Sequence, residues 1–152
     1  MIVGTKPKVN PLVAQVAHSL EVNGIAYRTE HQTDLRGETG ERIRVDFYLF
    51  RAKGFDDGMY VECKWQASSG SAYQKLEYSA KNIRNNYDRP TVMVVSGTAP
   101  ELHRMRDTLT VGGKLRAIVN LDEWIVLVGK LSDGDGFAHI RDFFDPEQPQ
   151  LF

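Results

Sequence analysis

Two stretches near the middle of the chain, residues 42–50 and residues 59–66, place an apolar side chain at every second position. This period-two alternation is typical of a β-strand that packs one face on a core. The apolar side chains expected on one face of the first strand are Ile43, Val45, Phe47 and Leu49. Residues 51–58 predict a turn, so the two strands should pair as a hairpin.

Apolar residues at helical spacing predict helices on both sides of this hairpin. Residues 10–24 begin with Asn10 and Pro11 and end at Gly24, which are signals for the start and stop of a helix. Residues 68–87 predict a second helix with one apolar stripe. In chain order, the remaining pattern predicts a strand at 25–32, a loop at 33–41, a buried strand at 90–97, a helix at 99–109, a short strand at 115–120 and a helix or strand at 121–131.

This order of elements predicts a mixed α/β or α+β fold. A chain of 152 residues is long enough for one domain with its own core, so we expect a single domain over 1–152 with an extended tail at 141–152. The single cysteine excludes a disulfide within the chain and favours a reducing compartment. The longest apolar run is too short to cross a membrane, and the first residues do not look like a signal peptide. These features together favour a soluble cytoplasmic protein.

Charged side chains interrupt both strands of the hairpin. If the register pairs residues of like parity, Asp46 lies on the same face as Glu62 and Lys64, and this face is expected to be free of the hydrophobic core. A one-residue slip would send Asp46 to the other face. Two carboxylates can hold a hard cation such as Mg²⁺, which lowers the pKa of its bound water, and an ammonium can orient that water. The pattern therefore suggests hydrolysis at phosphorus.

Asp46, the sequence Glu62-Cys63-Lys64 on the next strand and the Ser- and Gly-led helix after it resemble the PD-(D/E)XK nuclease superfamily. The resemblance covers roughly residues 10–97 and implies a restriction-endonuclease-like fold, with a mixed central β-sheet flanked by helices. It implies that Asp46 and Glu62 bind the metal and that Lys64 is the catalytic lysine. The residue before Asp46 is Val45, whereas the motif that gives the superfamily its name has a proline at this position.

Two further site residues follow from the same resemblance. Gln66 lies on the strand face of Glu62 and Lys64, where some members have a polar residue near the metal or the DNA. Glu21, late in the first helix, matches an acid that many members direct at the metal, although it could be an ordinary surface acid. The expected ion is Mg²⁺, with Mn²⁺ able to substitute.

The net charge of −1 gives no overall attraction to DNA, so any contact with phosphates requires a local basic surface. Lys75, Lys81 and Arg84 share the helix face opposite the apolar stripe, and Arg44 lies on the strand before it. Such charges usually form a solvated face. Beside a phosphodiester-cleaving site they would contact the DNA backbone.

The last five residues resemble the short peptides that bind bacterial sliding clamps, with matches at Gln148, Leu151 and Phe152. The alternative is a tail that packs on its own domain or on a second subunit.

The sequence thus predicts a metal-dependent DNA endonuclease of the restriction, homing or phage type. The alternatives are a structure-specific nuclease like a Holliday-junction resolvase, and a non-catalytic DNA-binding module on the same fold. One active site cuts one strand, so cutting both strands would require a homodimer, a higher homo-oligomer or a larger partner subunit.

Overall fold

The computed structural model describes residues 10–52, 54–64, 71–96 and 113–133. The strands of this part are β1 (Tyr27–Arg36), β2 (Arg42–Leu49), β3 (Met59–Lys64), β4 (Thr91–Val95) and β5 (Leu115–Val119). Its helices are α1 (Pro11–Val22), α2 (Ser71–Asn86) and α3 (Leu121–Asp133).

The five strands form one mixed sheet in the order β1-β2-β3-β4-β5. β1, β2 and β3 are antiparallel to one another, whereas β3, β4 and β5 are parallel. Parallel neighbours need a crossover connection, and α2 lies in the segment that joins β3 to β4. This mixed sheet flanked by helices confirms the predicted fold class.

Both faces of the sheet are covered by helices. On one face α1 and α3 pack on a core that includes Phe47 and Val61, and on the other α2 packs on a core that includes Val45 and Tyr60. The expectation that the Glu62 face would be free of the core is therefore wrong. Tyr60 on that face is only 2% exposed, because α2 covers it.

β2 changes face at Asp46. Ile43 and Val45 pack with α2, whereas Phe47 and Leu49 pack with α1 and α3, so these four side chains do not share one face as predicted. The neighbouring strand is distorted at the same level, since Glu30 has a φ of 47°, which is unusual for a residue other than glycine. Asp46 thus occupies the position at which the regular pleat of β2 is interrupted.

β1 is longer than predicted and takes up residues assigned to a loop. Side chains hold this end of the strand: the Thr33 hydroxyl donates to the Ile43 carbonyl at 2.7 Å, and the Arg42 Nε donates to the Thr33 carbonyl at 2.7 Å. These polar bonds replace the apolar alternation by which a strand is recognised in sequence. Residues 121–131, for which the pattern allowed either element, lie in α3.

Several predictions concern residues outside the described ranges. These are the helix at 99–109, Gln66 and the tail at 141–152 with its clamp-like peptide. Within the described ranges, the helices are too short or too polar to span a bilayer.

Candidate active site

Asp46 and Glu62 are joined by two reciprocal hydrogen bonds between β2 and β3. The backbone N–H of Asp46 donates to Glu62 Oε1 at 2.7 Å, and the backbone N–H of Cys63 donates to Asp46 Oδ2 at 2.8 Å. Each carboxylate therefore binds to the backbone of the opposite strand. These bonds hold both carboxylates just beyond Phe47 and Val61, which are the last paired residues of β2 and β3.

Glu62 is a buried acid, with 6% of its surface exposed. Burial, followed by the nearby charge of Asp46, raises the pKa of Glu62 to about 7. Its second oxygen, Oε2, accepts a hydrogen bond of 2.8 Å from the hydroxyl of Tyr87, which lies just after α2. Both oxygens of this carboxylate are thus held by the protein, one from β2 and one from the α2 side.

Asp46 is partly buried, and its pKa is also raised. Burial is the main cause, opposed by the bond from the Cys63 N–H and by the positive charge of Lys64. Glu30 adds a smaller repulsion that raises the pKa of Asp46, and Arg44 a smaller attraction that lowers it. Two acids with raised pKa values lie beside an ammonium and a guanidinium, which is a pattern that marks functional sites.

A half-open cavity of about 400 Å³ lies between α2 and the ends of β2 and β3. Glu62 and Lys64 line it from β3, Arg44 from β2, and Tyr78 and Asn82 from α2. Arg42 and Glu41 also line it, so a negatively charged ligand entering this space would meet three cations and two acids.

The register of the hairpin agrees with the sequence prediction. The pairs Phe47 with Val61 and Leu49 with Met59 join residues of like parity, which brings Asp46 opposite Glu62. Lys64 lies two residues further along β3 and is close enough for its positive charge to lower the pKa of both acids. The structure therefore brings together the three residues on which the predicted chemistry depends.

Glu21 is not brought to these residues. The side chain of Asn10 at the start of α1 donates to the Cys63 carbonyl at 3.3 Å, so it is the beginning of α1 that lies near the acids. Glu21 is eleven residues further along the helix, about 16 Å at the usual rise per residue. There, after burial, the nearby charge of Glu21 raises the pKa of the Tyr27 hydroxyl. Its predicted role at a metal has no support from this geometry and stays a prediction.

The predicted DNA contacts differ in their surroundings. Arg44 is exposed and lines the cavity, and Lys75 is exposed on α2. Lys81 lies 3.8 Å from a carboxylate oxygen of Glu38, and Arg84 is half-buried. Arg44 is the member of this set that lies at the candidate site, while the role of each in DNA binding stays a prediction.

Tyr87 and Glu30 are the two residues at the site that sequence reasoning missed. Tyr87 continues the apolar stripe of α2 at helical spacing, which is typical of a core residue, and its ring does lie in the core. Its hydroxyl has a second role that the stripe does not reveal. Glu30 is recognised by its positive φ and by its effect on Asp46, neither of which is visible in the sequence.

The two acids fit a Mg²⁺ ion. In the described ranges, no group of three or more His, Cys, Asp and Glu side chains is arranged to hold a metal. Mg²⁺ is usually bound through one or two carboxylates and keeps several waters, so Asp46 and Glu62 are sufficient donors for it. A hard cation would also offset the repulsion between two partly buried carboxylates.

Comparison with known proteins bears on these observations. No curated protein and no solved structure matches the chain. The family model of the PD-(D/E)XK nuclease superfamily domain matches residues 6–105. The match includes both strands of the hairpin, α2 and the whole set Asp46, Glu62 and Lys64. The chain therefore belongs to the PD-(D/E)XK nuclease superfamily.

Proposed function

We propose that the protein is a Mg²⁺-dependent deoxyribonuclease that hydrolyses phosphodiester bonds at Asp46, Glu62 and Lys64. Membership of a nuclease superfamily implies a nucleic acid substrate. The observation that carries the proposal is the pair of reciprocal bonds that holds Asp46 against Glu62, with Lys64 close enough to lower the pKa of both acids.

Asp46 and Glu62 would hold the Mg²⁺ ion, and Mn²⁺ would substitute for it. When bound, such an ion supplies a water of lowered pKa and stabilises charge on the attacked phosphate. The bonds from the backbone and from Tyr87 keep the two carboxylates in place, so little rearrangement is needed on binding.

Lys64 would act directly on the reacting atoms. Its ammonium can donate a hydrogen bond to the attacking water or to a phosphate oxygen, and it offsets the negative charge that develops there. Arg44 lines the same cavity and would bind a neighbouring phosphate. These roles make the site suited to one cut in one strand, so cleavage of both strands would need a homodimer, a higher homo-oligomer or a partner subunit.

Cleavage of circular DNA tests the proposal. Supercoiled duplex and single-stranded circles are incubated with the protein in Mg²⁺, in Mn²⁺ and in chelator. We expect nicked or linear products with either metal, and none in chelator. Lys64→Ala and Asp46→Asn should lower the rate at least a hundredfold, since each removes a group from the reacting site.

Lys130→Ala is the matched control, because Lys130 lies on α3, on the opposite face of the sheet. It should cleave at the rate of the unchanged protein. Cleavage that survives in Lys64→Ala and Asp46→Asn would show that the activity comes from another site or a contaminant. Absence of cleavage of circles and of branched junctions, by a protein that still binds DNA, would favour a non-catalytic DNA-binding module.

A further inference from the structure

The cavity beside Glu62 is closed on one side by a bridge between the β1–β2 turn and α2. The Glu38 backbone N–H donates to Asn82 Oδ1 at 3.0 Å, and the Asn86 amide donates to Glu38 Oε2 at 2.6 Å. Lys81 lies 3.8 Å from the other oxygen of the same carboxylate. Three residues of α2 thus hold one residue of the turn, and Asn82 is the member of this bridge that lines the cavity.

The cavity suits one nucleotide better than a duplex. A volume of about 400 Å³ lies in the range of pockets that take small ligands, which is roughly 300–1,000 Å³. A base-paired duplex is much wider than such a space and could only lie across its mouth. A single unpaired nucleotide could enter.

The walls offer partners for both parts of a nucleotide. Tyr78 on α2 lines the cavity and is 43% exposed, so its ring is accessible to a ligand. Exposed rings of this kind stack on unpaired bases. On the strand side, Arg44 and Lys64 carry the positive charge that a phosphate requires, and Asn82 adds an amide at the rim.

We propose that this cavity binds one unpaired nucleotide beside the phosphate that is cut, with its base on Tyr78 and its phosphate at Arg44 and Lys64. The inference rests on the proposed nuclease function and narrows its substrate class. The substrate is DNA with an unpaired strand at the cleavage position, such as a single strand, a flap or a fork, and an uninterrupted duplex is a poor substrate.

Three DNAs that share the sequence of the cut strand test the substrate class. They are a single strand, a duplex in which this strand carries one unpaired nucleotide, and an uninterrupted duplex. We expect cleavage in Mg²⁺ to be at least tenfold faster for the first two. Equal or faster cleavage of the uninterrupted duplex would overturn the proposal.

Binding in chelator tests the role of Tyr78 without cleavage. Tyr78→Ala should weaken binding of the single strand about tenfold, whereas Tyr78→Phe, which keeps the ring, should bind as the unchanged protein does. Gln74→Ala is the control, because Gln74 is exposed on α2 and does not line the cavity. A strand containing 2-aminopurine should lose fluorescence on binding to the unchanged protein and regain it with Tyr78→Ala.

The two proposals can fail separately. If no DNA is cut but single-strand binding still depends on the ring at position 78, the nuclease function fails and the nucleotide site stands. If DNA is cut but Tyr78→Ala changes neither the binding nor the fluorescence, the nuclease function stands and the nucleotide site is wrong.

Discussion

Glu62 is the more deeply buried of the two acids at the site, because β2, β3 and α2 enclose it. Burial and the charge of Asp46 raise the pKa of Glu62 to about 7, well above its value in an unfolded chain. The folded protein therefore keeps a proton on Glu62 at pH values where the unfolded chain has lost it. In metal-free protein, the free energy of unfolding should fall by roughly 3 kcal/mol as the pH rises from about 4.5 to about 7.

Urea unfolding in chelator at several pH values measures this dependence. Glu62→Gln should flatten the curve between these two pH values, since the amide cannot ionise. Glu77→Gln is the control, because Glu77 is an exposed acid on α2, and its curve should follow that of the unchanged protein. The same fall in Glu62→Gln would assign the dependence to a different group.

Tyr87 acts on the site through Glu62. Its hydroxyl donates to Glu62 Oε2, and this bond lowers the pKa of Glu62 against the effect of burial. Burial, followed by the charge of Glu62, raises the pKa of Tyr87, so the hydroxyl stays protonated and remains a donor. Tyr87→Phe should weaken Mg²⁺ binding about tenfold, because hydrogen bonds to charged groups contribute about 1.5–3 kcal/mol.

The measurement is the cleavage rate as a function of Mg²⁺ concentration and pH. Tyr87→Phe should need more Mg²⁺ and a higher pH for half-maximal activity, with the rate restored at saturating Mg²⁺. Tyr60→Phe is the matched control, since Tyr60 is buried in the same core but donates to Asp88 at 2.7 Å. An equal shift in both variants would indicate a general loss of packing and would contradict a specific role for Tyr87.

At the level of elements, α1 and α3 are joined by a buried hydrogen bond on the face of the sheet away from α2. The indole N–H of Trp124 donates to the Ser19 hydroxyl at 2.8 Å, and that hydroxyl donates to the Val16 carbonyl at 2.6 Å. Ser19→Ala would leave the buried indole N–H without its partner. We expect the free energy of unfolding to fall by about 2 kcal/mol, as for other unsatisfied buried donors.

Thermal or denaturant unfolding checks this value, and the Mg²⁺ dependence of cleavage should be unchanged because neither residue contacts the site. Ser132→Ala is the control, since the Ser132 hydroxyl donates to the Gly129 carbonyl at 2.8 Å, and within the described ranges no tryptophan donates to it. It should have little effect on stability. An equal loss of stability in both variants would show that the hydrogen bond from the Trp124 indole makes no specific contribution to the free energy of unfolding.

The shared face of the hairpin was predictable because parity decides which face of the sheet a side chain occupies. Asp46 and Glu62 are both even-numbered, so any register that joins residues of like parity puts them on one face, and the register found here also puts them opposite each other. The apolar positions of α2 and β4 were predictable for a similar reason, since each is apolar at the spacing of its element. What these patterns describe is the side of an element that packs on a core.

The parts that escaped prediction depend on polar contacts between elements. The change of face at Asp46 follows from carboxylates that bind the backbone of the opposite strand, and an alternating pattern gives no sign of it. The last residues of β1 are held by Thr33 and Arg42, which read as loop residues. The hydroxyl of Tyr87 reaches Glu62 only because α2 crosses the sheet at that point.

The charges of the whole molecule are nearly balanced, with 19 Lys and Arg residues against 20 Asp and Glu. If the protein binds DNA as proposed, the attraction comes from individual cations near the site, and each phosphate contact contributes to the salt dependence of binding. Lys75 is exposed on α2, whereas the ammonium of Lys81 already lies near the Glu38 carboxylate. The two lysines should thus differ in their effect on DNA binding.

Lys75→Ala should weaken binding of single-stranded DNA and reduce the slope of log affinity against log salt by roughly 0.7, the value expected for one phosphate contact. Lys81→Ala should reduce the slope by less, because the Lys81 ammonium already lies near the Glu38 carboxylate and so neutralises a phosphate less fully. Fluorescence anisotropy in chelator at 50–300 mM salt, a range over which salt screens charges more and more strongly, measures both slopes. Lys130→Ala on the opposite face should leave the slope unchanged, and an equal reduction in all three variants would mean that DNA binding follows net charge and has no preferred face.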